Sequence, residues 1–435
     1  MVNHFLAAAI IEPNPLMILP FVLLLLAIAV MPFLNKHWWE HHFPKVSIAL
    51  GSITVLYYIL VLKNPARLTH VAHEYVQFMA LIGSLFVVSG GIHIRVKGES
   101  TPLINCLFLF LGAILANLIG TTGASVLLIR PWIRMNKYRI TAFHVVFFIF
   151  IVSNVGGCLT PIGDPPLFLG YLKGVPFWWV AKACWPAWLL GVTMLVAVFY
   201  WLDRRNFHRA PKEVRERETA HETWKFDGLL NLAFLALILV AIFVRNPPGL
   251  SEALMIGAAA GSYFATPRPI HEANDFNFHP VREVGWLFAG IFATMVPALD
   301  YLGVHAKDLG LTSEMGFFWL TGFLSAALDN APTYMTFLAA AMGLHDLDLN
   351  VPADVRKLVA DHGLQVLSIS LGAVFFGAMT YIGNGPNFMV KAIAEHARVD
   401  MPGFFSYLFR YAVPVLLPLF VLISILFFSS WRIFS

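Results

Sequence analysis

Two segments of this chain carry the same helix-breaking phrase inside sequence otherwise apolar enough for a lipid bilayer. The first is Thr160-Pro161-Ile162-Gly163-Asp164-Pro165-Pro166-Leu167-Phe168, and the second is Thr380-Tyr381-Ile382-Gly383-Asn384-Gly385-Pro386-Asn387-Phe388. Both follow T-x-I-G-[D/N]-x-P-x-F and lie 220 residues apart, about half the chain. Proline lacks the N–H that a helix needs, and clustered Gly and Pro end a helix. In hydrocarbon each break strands N–H and C=O groups that lipid cannot satisfy, so it survives only where it lines a cavity. Matching breaks in the two halves of a chain point to the binding site of a secondary transporter.

Composition supports that setting. The chain is 58% hydrophobic and 12% charged, against roughly 25% charged for soluble domains, and its mean hydropathy is +0.72. Apolar runs at 15–34, 46–62, 76–94, 178–202, 227–244, 284–303 and 404–429 approach the roughly 20 residues that a bilayer requires. The first run has no basic flank or small-residue cleavage site, and is read as a mature helix, not a signal peptide. The net charge of +4 sits in loops and argues for membrane orientation, not for nucleic acid. Cys106, Cys158 and Cys184 have no C-x-x-C spacing and read as buried apolar residues. No hydrolase or NTPase signature occurs, the histidines fall mostly in loops, and the chain reads as a non-enzyme without a resident cofactor.

Lysine and arginine collect on the cytoplasmic side of membrane proteins. Segment 203–226 holds Arg204, Arg205, Arg209, Lys212, Arg215, Arg217 and Lys225 and is expected to be a cytoplasmic linker; residues 1–14 hold none and are expected to start in the periplasm. Segment 103–133 has two arms too short to cross, joined by Gly120-Thr121-Thr122-Gly123-Ala124-Ser125, and reads as a re-entrant hairpin. Segment 314–343 repeats this with its tip at Leu328-Asp329-Asn330-Ala331-Pro332-Thr333. The expected fold is an all-α polytopic membrane protein in two repeats, 1–202 and 227–435. Each has five crossings, one hairpin and one broken helix, at 140–173 and 364–396. An odd number of crossings inverts one repeat relative to the other. Phe86–Gly91 and Leu287–Phe292 are each expected to end the helix before a hairpin, with glycines serving close packing.

Two carboxylates fall at the expected midplane, Asp164 and Asp329. Placing a charge there costs roughly 2.5–3.5 kcal/mol, and such residues usually face a cavity; the bland alternative is a helix cap. Burial makes a carboxyl hold its proton more tightly, and the same group, deprotonated, is a hard oxygen ligand for Na⁺. Around them stand the coordinating candidates Thr121, Thr122, Ser125, Asn154, Thr160, Asn330, Thr333, Thr380, Asn384 and Asn387, with the backbone at Gly163 and Gly383. Lys173 and Lys391 read as interfacial residues reaching toward headgroups.

With these residues in place the chain resembles the ion transporter superfamily. The run Gly120–Ser125, then Leu127-Leu128-Ile129-Arg130-Pro131, then Thr160–Asp164 is most similar to the NhaD-type sodium/proton antiporters. Citrate and dicarboxylate transporters and arsenite permeases are related groups. The resemblance implies Na⁺ (or Li⁺)/H⁺ antiport across a bacterial inner membrane. Asp164 and Asp329 would be the cation and proton sites, the surrounding partners would be lipids, and the assembly would be a homodimer. The alternative it leaves is Na⁺- or H⁺-coupled uptake of citrate or a dicarboxylate.

Overall fold

The structure, a computed structural model, describes residues 12–96, 100–207, 225–244 and 246–430. It is an all-α polytopic protein: among the described residues eight helices are long and apolar enough to cross a membrane, nine if one bent pair counts as a span. Helix Leu19–Leu34 exposes Leu23, Leu26 and Phe33, as a lipid-facing helix does.

One of the eight does not cross. Helix Pro102–Met135 has 34 residues and would be about 50 Å long if straight. At Gly120 the backbone turns to φ 74°, ψ 156°, a conformation open to glycine, and the chain doubles back. Phe108 and Trp132 consequently stack with ring centroids 5.5 Å apart, and Asn105 Nδ2 donates to Asn136 Oδ1 at 2.8 Å. Buried Asp203, on helix Phe177–Phe207, fastens both ends: it accepts from Asn105 Nδ2 at 2.8 Å, from the Arg139 guanidinium, and pairs with His144 Nε2 at 3.0 Å.

The second hairpin joins Glu314–Ala327 to Asn330–Leu344. Phe317 and Phe337 meet across it at 6.4 Å. Gln365 holds both of its ends, donating from Nε2 to Thr312 O (3.2 Å) and meeting His345 Nε2 through Oε1 (2.8 Å).

The hairpins enter from opposite ends of the bundle. Helices Pro65–Gly90 and His279–His305 run antiparallel, with Arg67 on Asp300 at 2.8 Å, Phe78 stacked on Phe288 at 4.6 Å and Phe276 against Gly90. The first hairpin follows the Gly90 end and the second follows the His305 end. Both broken helices then pass between them. The first is Ala142–Ile151, a turn at Val155–Leu159 and Pro165–Lys173; the second is Gly363–Phe376, a turn at Gly377–Met379 and Gly385–His396.

Several sequence expectations are corrected. Leu287–Phe292 lies in the middle of helix His279–His305, not at its end, although its small residues do serve close packing: a Cβ on Gly290 would sit 2.8 Å from Ser47 Cβ. The run 227–244 forms only the eleven-residue helix Asn231–Ala241. Helix Pro352–Asp361 precedes the second broken helix at 99° to it. It is too polar to span, and it buries Val355, Leu358 and Val359 on one side. A two-stranded antiparallel ribbon pairs His93–Arg95 with Lys225–Asp227, so the segment after the basic linker returns to the Gly90 end. Linker residues 208–224 and the first eleven residues lie outside the described residues. Their orientation carries a prediction: a single cysteine placed within 203–226 should resist an impermeant thiol reagent applied outside intact cells. Ready labelling would reverse the assigned sides.

Candidate functional site

The shared phrase builds the same hinge twice. Thr160 Oγ1 donates to Asn117 O at 2.7 Å and accepts the Gly163 N–H at 3.2 Å. Thr380 Oγ1 donates to Ala326 O at 2.7 Å and accepts the Gly383 N–H at 3.1 Å. Each threonine therefore satisfies groups stranded by its break and ties that break to the first arm of the hairpin beside it. The glycine is needed because the chain passes itself: a Cβ on Gly163 would lie 1.9 Å from Gly157 O, and one on Gly383 would lie 2.7 Å from Gly377 O. The first hairpin tip closes on this hinge through Thr121 N–H to Gly163 O, 2.7 Å.

Asp164 follows at the start of half-helix Pro165–Lys173, the position of a cap, yet its side chain makes no capping bond. The reason is local. An Asp at this position caps through the N–H of the second or third helical residue; the second is Pro166, which has none, and the Leu167 N–H is taken by Asp164 O at 3.1 Å. The carboxylate turns inward and is fully buried. Its Oδ1 accepts from Thr121 Oγ1 at 2.7 Å and from Asn384 Nδ2 at 2.9 Å, and its Oδ2 accepts from Asn330 Nδ2 at 2.7 Å. Thr121 belongs to the first hairpin tip, Asn330 to the second and Asn384 to the second break. All four interruptions of helix thus converge on one carboxylate. Among the described residues no Lys, Arg or His pairs with it.

A further layer orients Asn384. Asn384 Nδ2 also reaches Ser153 O (3.1 Å) and Asn154 Oδ1 (3.2 Å). Asn154 Nδ2 donates to Asn387 Oδ1 at 2.7 Å, and Asn387 Nδ2 donates to Gly377 O and Thr380 O. Ser125 and Ser153 share a hydrogen bond at 2.7 Å. Thr122 faces a small cavity bounded by Leu81, Leu85, Gly120, Pro165 and Phe168, next to the residues that flank Asp164.

Asp329 has a different place. It is half-buried and accepts the Ala331 N–H at 3.0 Å, capping helix Asn330–Leu344, while Thr333 Oγ1 bonds back to Asp329 O at 2.9 Å. Both stay on their own helix, one residue away from the Asn330 amide that reaches Asp164. Asp329→Ala is therefore expected to lower stability by about 1 kcal/mol, the usual value of a cap, read as a small drop in melting temperature in detergent.

Two participants lay outside the sequence candidates. Asn117 accepts the Leu159 N–H (2.8 Å) and donates to Gly156 O (2.7 Å), holding the turn before the first break; an amide at the tip end of the apolar arm Leu103–Leu118, whose other Asn is Asn105, is its signal. Lys173, expected at the headgroups, is instead buried and ion-paired with Glu74 at 2.6 Å.

Over 322 residues the chain is 24% identical to a "46 kDa membrane protein" of Mycobacterium leprae (strain TN), covering 69% of this chain and 72% of that protein. Residues 12–428, which include both hairpins and both breaks, match the family model described as "Putative citrate transport", and the chain belongs to that family.

Proposed function

We propose that this protein is a secondary transporter exchanging Na⁺ or Li⁺ for protons across a bacterial inner membrane by alternating access. The observation that carries the reading is Asp164: a buried carboxylate, held by three neutral donors from both hairpins and the opposite break, with no cationic side chain on it among the described residues. An isolated buried carboxylate is costly. A proton or a bound cation relieves that cost at the same oxygens, so each excludes the other, and that exclusion is the coupling. An incoming carboxylate would instead meet Asp164 with Asp329 close by, and would find Thr121, Asn330 and Asn384 already donating to Asp164. The recurrence of hinge geometry at 160–164 and 380–384, with hairpins entering from opposite ends, supports two inverted halves working as one gate. The basic linker is assigned to the cytoplasm and a homodimer is the expected assembly.

The family description favours a second reading, cation-coupled uptake of citrate or a dicarboxylate. The half-helices starting at Pro165, Asn330 and Gly385 point positive dipole ends toward the centre, and Asp164 would then hold the coupling cation. Proteoliposomes carrying an imposed pH gradient separate the two. Exchange predicts that Na⁺ or Li⁺ collapses the gradient without any carboxylate. Symport predicts no such response until citrate or a dicarboxylate is added, together with saturable uptake of the labelled acid. The second outcome would replace the first reading.

A further inference from the structure

Lys173 and Glu74 form an ion pair at 2.6 Å with both side chains almost wholly out of solvent, 3% and 7% exposed. The two residues belong to different parts of the molecule. Glu74 lies on helix Pro65–Gly90, which packs with Leu250–Ala265, His279–His305, Asn231–Ala241 and the first hairpin Pro102–Met135. Lys173 ends half-helix Pro165–Lys173, whose other end is Asp164. Nine residues of unbroken helix, about 13 Å, join the ammonium to the carboxylate, so Asp164 cannot be carried relative to helix Pro65–Gly90 without pulling on this pair.

Each partner also has a neighbour on its own side. Glu74 Oε1 lies 3.4 Å from His70 Nδ1, one turn earlier on the same helix. Lys173 Nζ lies 3.5 Å from Asn350 Oδ1. Asn350 belongs to the segment that Gly174 packs against, a Cβ there lying 3.0 Å from Pro352. Beyond Glu74, Arg67 is bound to Asp300 through Nε and Nη2, its Nη1 having no hydrogen-bond partner among the described residues, with Tyr58 on the same carboxylate at 2.8 Å. The Arg67–Asp300 pair joins two helices that pack against each other, Pro65–Gly90 and His279–His305. The Lys173–Glu74 pair joins helix Pro65–Gly90 to the half-helix that begins beside Asp164, and each partner has a second polar neighbour on its own side.

We propose that Lys173–Glu74 is a latch that holds the conformation described here and parts once in every transport cycle. The proposal rests on the alternating-access reading above. Buried ion pairs add little stability over apolar packing, while removing one partner is strongly destabilising because the other charge is orphaned; a pair in this position biases a conformation better than it glues a fold.

The test uses two full-length proteins. In a background carrying Cys106→Ser, Cys158→Ser and Cys184→Ser, the variant Glu74→Cys/Lys173→Cys is bridged with a short bifunctional methanethiosulfonate, and the bridge is verified by intact mass. Transport of whichever solute the wild type moves should fall to that of empty liposomes and return on reduction. The charge-swapped Glu74→Lys/Lys173→Glu, which keeps a pair without an orphaned charge, should transport. Undiminished transport by the bridged protein would overturn the latch, as would a folded but inactive charge swap. A wild type that moves no solute would instead overturn the transport reading beneath it.

Discussion

Asp164→Asn is expected to reduce Na⁺-driven collapse of a pH gradient to the level of empty liposomes while leaving a folded protein. The substitution keeps shape and removes the exchangeable charge. One oxygen still accepts from Thr121 or from one of the amides, but the new NH₂ group faces a donor amide on Asn330 or Asn384. A donor against a donor in a buried site costs about 1–3 kcal/mol, part of which is offset because an amide is cheaper to bury than a carboxylate. The melting temperature in detergent should therefore shift by a few degrees at most as transport disappears. Retained exchange in Asp164→Asn would move the carrier elsewhere, and Asp329 would be the next carboxylate to test.

Gly163→Ala is expected to have the opposite profile and fail at folding. Its Cβ would stand 1.9 Å from Gly157 O and 2.9 Å from Asn117 Oδ1. The first atom is backbone and cannot swing aside, so the hinge has to open, taking with it the Thr121–Gly163 bond that seats the hairpin tip. A cost above about 4 kcal/mol is expected for such a site, seen as loss of monodisperse protein on size exclusion. Gly385→Ala is the control in the other break: no described residue lies within 4 Å of its Cβ. It starts a half-helix, where Gly→Ala is expected to be neutral or to add about 0.4–1 kcal/mol. Equal behaviour of the two variants would remove the steric account of the shared phrase.

Much of this arrangement is legible in the residues because hydrocarbon leaves a broken helix few options. Arms too short to cross must turn back, and Gly120 and Asp329 mark where they do. A Thr three residues before a Gly in both breaks reads as a local bond once the stranded N–H is counted. The two aspartates are harder to rank from sequence, since depth alone makes them equal. What separates them is the neighbouring residue: Pro166 denies Asp164 a cap, whereas the Ala331 N–H gives Asp329 one. The burial of Lys173 is not legible in the sequence because its partner Glu74 is 99 residues away, and no local pattern announces so distant a contact. The ribbon His93–Arg95 with Lys225–Asp227 is too short for periodicity to reveal.

The central claim is that a proton and a cation compete for one carboxylate. Purified protein in weakly buffered detergent, challenged with NaCl and monitored with a pH electrode, tests it without any vesicle. The account predicts a saturable release of protons on adding Na⁺ or Li⁺, not reproduced by choline, and absent from Asp164→Asn. No release from the wild type, or equal release from Asp164→Asn, would contradict it.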